Sequence, residues 1–121
     1  MITALKFASI PTRDQDTAVA FWVDKMGFRI LTDQPMGPGK RWIELGIGRA
    51  ETRIVLFTPE GHEDRIGTFF NGSFACEDVN YTYKQLVEKG VVFEGPPDEQ
   101  PWGTFAKFRD PDGNIFVLSS R

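Results

Sequence analysis

Few side chains in this sequence have the chemistry to act as nucleophile, proton relay or metal ligand. The single histidine, His62, sits among Glu60, Gly61, Glu63 and Asp64. A loop imidazole in such a hydrophilic stretch normally faces water. The single cysteine, Cys76, has no basic neighbour in sequence to draw its thiol toward thiolate, and it alternates with Phe74 along a strand-like run, so it reads as a buried, inert thiol. The other candidates are Trp42 and Trp102, each following a segment rich in Pro and Gly, and the charged residues Arg41, Glu44 and Lys107. Two tryptophans at matched positions can sandwich a planar ligand or anchor a dimer. Any of the three charges that points into a cavity would set a ligand's charge preference, and the others are solvated or ion-paired.

These residues are carried by two copies of one pattern. Residues 6–27 (KFASIPTRDQDTAVAFWVDKMG) lie over residues 70–90 (FNGSFACEDVNYTYKQLVEKG) at an offset of 64, with Ser9 on Ser73, Asp14 on Asp78 and Val23 on Val87. In each copy a strand-like run ends at an Asp suited to cap a helix, about twelve helical residues follow, and Gly27 or Gly90 stops them. Val19, Trp22, Val23 and Met26 form the apolar stripe of the first helix, and Val79, Tyr83, Leu86 and Val87 that of the second. Further strands are predicted at 28–31, 41–45 and 52–57, and again at 91–93, 104–108 and 115–119, so each half reads βαβββ. The turn-dense segments 33–40 and 95–101 read as paired loops at one rim. Asp110-Pro111-Asp112-Gly113-Asn114 closes the final hairpin.

Composition excludes several functions. The chain has 121 residues, 40% hydrophobic and 26% charged, and reads as one α+β domain with a first module at about 1–58 and a second at about 69–121. Fourteen basic residues are scattered among 17 acidic ones for a net charge of −3, which argues against a nucleic-acid partner. No apolar run approaches the roughly 20 residues of a membrane helix. One cysteine and a start without a basic, apolar leader make a cytoplasmic location the expectation.

Two βαβββ modules opening on SIPTRDQDTAVAFWVDKMGF and closing on FRDPDGNIFVLSS resemble the vicinal oxygen chelate superfamily, which includes glyoxalase I, fosfomycin- and bleomycin-resistance proteins and extradiol dioxygenases. The resemblance implies curved sheets forming a half-open barrel, a ligand on the inner face and, commonly, a homodimer. It also implies, in metal-dependent members, a His on the first strand of each module and a Glu seven residues after the first Asp of the DPDG turn. This sequence departs from that pattern, with Phe7 and Asn71 at the first-strand positions and Val117 at the carboxylate position. None of these can build a stable transition-metal site, because such a site needs three or four imidazole, thiolate or carboxylate donors.

Alternation then gives the inner face. If Phe7 faces inward so do Leu5 and Ser9, while Ala8 and Ile10 meet the helices; Asn71, Ser73 and Ala75 face inward against Phe74 and Cys76. The expected ligand-binding set is Phe7, Ser9, Trp42, Glu44, Asn71, Ser73, Trp102, Phe105 and Val117. Two function classes follow. One is a protein that binds or sequesters a small, partly aromatic or hydrophobic molecule with no cofactor. The other is a lyase or dioxygenase whose divalent transition metal is held by unusual ligands, with Glu44, Glu51 and His62 the candidates. An inner face that is simply core, closed by a partner subunit, is the third reading.

Overall fold

Each half begins with a strand that runs into an Asp-capped helix. The computed structural model describes residues 1–68, 70 and 72–120, in two compact units, Met1–Ile66 and Gly67–Arg121. In the first unit, strand β1 (Phe7–Pro11) leads to α1 (Gln15–Val19), where the Asp14 carboxylate accepts the Asp16 N–H at 3.1 Å and the Thr17 hydroxyl at 2.8 Å. The expected α-helix then changes character, because Ala20–Lys25 is π-helical and the Met26 N–H donates to the Phe21 carbonyl at 3.1 Å. The wider turn brings the consecutive residues Phe21 and Trp22 to the core, at 5% and 0% exposure. Val19, Val23 and Met26 from the expected stripe are therefore only half-buried. Strands β2 (Arg29–Pro35), β3 (Arg41–Gly46) and β4 (Arg53–Phe57) complete a sheet of order β1-β4-β3-β2, with β1 and β4 parallel. β2 continues through Asp33-Gln34-Pro35, residues that read as loop, because an edge strand tolerates a proline.

The second unit repeats the plan with β5 (Gly72–Cys76), α2 (Val79–Glu88), β6 (Val92–Phe93), β7 (Asp98–Gln100), β8 (Gly103–Arg109) and β9 (Ile115–Ser120). Its sheet runs β5-β9-β8-β6. β7 was not foreseen: Asp98, Glu99 and Gln100 lie in the segment read as loop but pair with Phe105, Thr104 and Gly103 of β8. Asp78 caps α2 by accepting the Tyr81 N–H at 3.0 Å. Val79 and Leu86 are buried and Tyr83 packs edge-on against Phe93 at 4.8 Å, whereas Val87, expected in the apolar stripe, is 46% exposed one residue before the helix ends. The closing turn is drawn together by Asp110, whose carboxylate accepts the backbone N–H groups of Asp112 and Asn114 and the Asn114 amide. Burial pushes the Asp110 carboxyl up despite these bonds. The Asn114 side-chain oxygen in turn accepts the Gly67 N–H at 3.1 Å. Gly67 has φ +80°, and a Cβ there would lie 2.3 Å from the Asp112 carbonyl oxygen, so only glycine fits.

In both sheets one face is core and the other is more open, with Val55, 1% exposed, the covered exception in the first. Cross-strand rows Ile10, Leu56, Ile43 and Ala8, Ile54, Leu45 lie on the core face of the first sheet. Phe116, with no exposure, stacks with Phe108 at 5.5 Å and lies 5.7 Å from Phe74 on the core face of the second. Val117 faces the other way, in a row with Ser73 and Lys107. Among the described residues no helix is long and apolar enough to cross a membrane. This alternation predicts opposite sensitivities for adjacent residues. Phe116→Ala should cost about 3–5 kcal/mol of unfolding free energy, and Val117→Ala about 1 kcal/mol or less, as read from urea denaturation. Equal losses at the two positions would contradict the alternation.

Candidate functional site

The open face of the first sheet forms a cavity of about 730 Å³, within the range that holds small organic molecules. Its floor comes from alternate residues of three strands: Phe7 and Ser9 of β1, Val55 and Phe57 of β4, and Trp42 of β3. The Phe7 and Trp42 rings meet edge to face at 5.6 Å and an interplanar angle of 81°. Met36, Pro38, Gly39 and Lys40 from the β2–β3 connection form one wall, and Thr58, Glu60 and Glu63 another. Arg13, Gln15 and Arg41 complete the rim.

Several of the charged groups around this floor are tied to one another. Arg41 makes a two-pronged ion pair with Asp33, both contacts at 3.0 Å, and a further bond to Asp16. One guanidinium thus joins β3, β2 and α1. The bond from Arg41 holds the Asp33 carboxyl below the usual carboxylate range, and the Arg41 guanidinium is pushed further up in return. Gln15 donates its amide to the carbonyls of Arg41 at 2.8 Å and Leu56 at 3.0 Å, fastening the start of α1 to two strands. Lys40 pairs with Glu60 at 2.6 Å across the mouth, and Arg13 donates to the Ile66 carbonyl at 3.0 Å. Glu44 stands beside the cavity. One of its oxygens accepts the Trp42 indole N–H at 2.7 Å and the other the Arg53 guanidinium at 2.9 Å. The indole bond first, and then Arg53, hold its carboxyl below the usual range.

The structure therefore gathers Phe7, Ser9 and Trp42 in one cavity, with Glu44 beside them. Ser73 and Val117 lie on the open face of the second sheet, where Phe105 lines a hollow of about 200 Å³ with Lys107 and Asp98. Trp102, expected at a rim position equivalent to Trp42, is instead 75% exposed in the turn before β8 and lines neither hollow. Leu5, expected to face inward, precedes β1 and is 66% exposed. Cys76, read as buried, is half-buried. Asn71 lies outside the described residues. The wall from 36–40 falls in the turn-dense segment read as a rim loop, whereas Gln15 and the wall of Thr58, Glu60 and Glu63 were not marked as site residues, because their part depends on backbone carbonyls and a connection that only folding brings near. Val55 and Phe57 could have been found by carrying the alternation of β1 across to β4.

The described residues do not fit a divalent transition metal. Phe7 and Val117 offer no donor atom, His62 and Glu51 are exposed, and both Glu44 oxygens already accept charged or polar donors. Among the described residues no three of His, Cys, Asp or Glu lie close enough to hold an ion.

Comparison with known proteins agrees with this architecture. A family model described as Glyoxalase/Bleomycin resistance protein/Dioxygenase superfamily matches residues 4–118. The uncharacterized protein YetH of Bacillus subtilis (strain 168) is 39% identical over 121 residues, covering 98% of each chain. Among solved structures, a member of the same superfamily from Sphaerobacter thermophilus DSM 20745 is 32% identical with a TM-score of 0.87, covering 99% of this chain and 98% of that one. TnmS3, an antibiotic binding protein from Streptomyces sp. CB03234, is 34% identical with a TM-score of 0.82, covering 98% of this chain and 96% of that one.

The paired carboxylates carry a pH prediction. Asp33 and Glu44 are held below their unfolded pKa values, so the stability they contribute is complete above the ordinary carboxylate range and is lost as pH falls through their folded values. The urea midpoint of the wild type should therefore fall between about pH 5 and pH 2, and more steeply than that of Asp33→Asn/Glu44→Gln, which has neither group left to protonate. Identical acid profiles for the two proteins would show that these pairs do not stabilise the fold.

Proposed function

Because the chain belongs to the glyoxalase/bleomycin resistance protein/dioxygenase superfamily, we propose that it binds and sequesters a small, partly aromatic or hydrophobic molecule in the cavity of its first unit, with no metal in the site. The observation that carries this reading is the floor: Phe7 and Trp42 present aromatic surface and Ser9 one hydroxyl, where metal-dependent relatives would need imidazole and carboxylate donors. The antibiotic-binding character of TnmS3, a full-length structural relative, supports an organic ligand. Ion pairing around the rim supports one without strong net charge, since Arg41, Lys40 and Glu44 already have partners.

The open face of the second unit, with Ser73, Phe105, Val117 and, from the sequence pattern, Asn71, is proposed to serve the same ligand role. Pairing with a second copy belongs to the proposal. β2 is an edge strand that leaves Ile30 and Leu31 at 48% and 39% exposure, and monomers seldom leave such an edge uncovered. A cytoplasmic site of action is proposed on the strength of the lone cysteine.

Calorimetric titration with N-phenyl-1-naphthylamine, a neutral aromatic probe, tests the reading. The expected result is saturable binding with a Kd of about 1–100 μM, unchanged by EDTA, weakened about tenfold in Phe7→Ala, and given by a species of twice 13.7 kDa in light scattering. Absence of binding, or a lyase or dioxygenase activity that chelation abolishes, would overturn it.

A further inference from the structure

Glu44 has no place in the cavity lining, yet it is joined to it. It lies on β3 two residues from Trp42, on the same face, and pairs across to Val55 of the floor. A continuous chain of contacts runs from the Arg53 guanidinium to one Glu44 oxygen, from the other oxygen to the Trp42 indole N–H, and from the indole ring to the edge of Phe7. The Glu44 side chain is 14% exposed, so the carboxylate is largely withdrawn from water. A charged acceptor in that position makes a stronger bond to an indole N–H than a neutral one, and its two oxygens fix direction as well as distance.

An unrestrained indole on an open sheet face has several rotamers, and only some present the ring to a cavity. We propose that Glu44 is a positioning residue that holds the Trp42 indole against Phe7, so that affinity for an aromatic ligand depends on a side chain the ligand does not touch. This inference rests on the cavity reading above. Arg53 is the second part of the device: by occupying the other oxygen it keeps the carboxylate turned toward the indole. Lys6 is the other cation acting on Glu44. Loss of the acid therefore acts on the shape of the aromatic wall, and reaches the ligand only through Trp42.

Two measurements separate this inference from the cavity reading. The first needs no ligand: the indole N–H resonance of Trp42, assigned by its absence in Trp42→Phe, should move upfield in Glu44→Ala and broaden as the ring samples other rotamers, with the Trp22 and Trp102 indole resonances unmoved. A Trp42 indole resonance indifferent to Glu44→Ala would overturn the proposal. The second is a double-mutant cycle on N-phenyl-1-naphthylamine affinity. Trp42→Phe and Glu44→Ala should each weaken binding by about tenfold, Glu44→Gln, which keeps an acceptor oxygen, by about threefold or less, and the double variant Glu44→Ala/Trp42→Phe by no more than about tenfold. Additive losses in the double variant, or loss in Trp42→Phe with none in Glu44→Ala, would overturn the positioning role. If the indole responds to Glu44→Ala while the wild type does not bind the probe, the link between Glu44 and Trp42 stands and the cavity reading fails.

Discussion

The apolar layer between the first sheet and its helix is the constraint on which the rest depends. Ile10, Ile43, Leu45 and Leu56 are at most 1% exposed, and Trp22 is fully covered. Burying each such side chain stabilises the fold by about 1.5–3 kcal/mol. A strand has two faces, so with these residues on one side Phe7, Ser9, Val55 and Trp42 have no choice but the other. A slip of one residue would exchange the faces and expose several core side chains at once. The cavity floor is thus a consequence of core packing, and its composition follows from which residues stand at the intervening positions.

What the floor can do is then decided by side-chain chemistry. A sheet face lined with Phe, Val and Trp offers apolar and ring surface in place of donor atoms. The charged residues frame the floor, and one of them, Glu44, bonds a floor side chain. Arg41 joins the first turn of the helix to two strands, Lys40 and Glu60 pair across the mouth, and Glu44 engages the indole. These ion pairs match Arg41, Lys40 and Glu44 each to an opposite charge.

Most of this was legible in the sequence wherever a local rule governs the outcome. The duplicated βα units follow from Asp14 and Asp78 as caps and Gly27 and Gly90 as stops, with φ of 81° and 88° at the two glycines. The opposed roles of Phe116 and Val117 follow from period-two alternation. Expectation and structure part where tertiary contact overrides local signal. Asp98–Gln100 became a strand because β8 supplies a partner. The π-helical turn moved Phe21 inward at the expense of Val23, and Trp102, one residue before β8, turned outward where Trp42, inside β3, turned to the cavity. Equivalent sequence positions did not make equivalent sites, since Trp42 has a carboxylate two residues on to hold its indole and Trp102 has Thr104 in that place.

The central claim is that an apolar, aromatic floor on the first sheet is the binding surface. Amide and indole chemical-shift mapping during titration with N-phenyl-1-naphthylamine tests it most directly. The account predicts shifts concentrated at Phe7, Ser9, Val55, Phe57 and the Trp42 indole. Shifts at saturation that spare these residues and fall instead around α2 or the exposed Trp102 would contradict it.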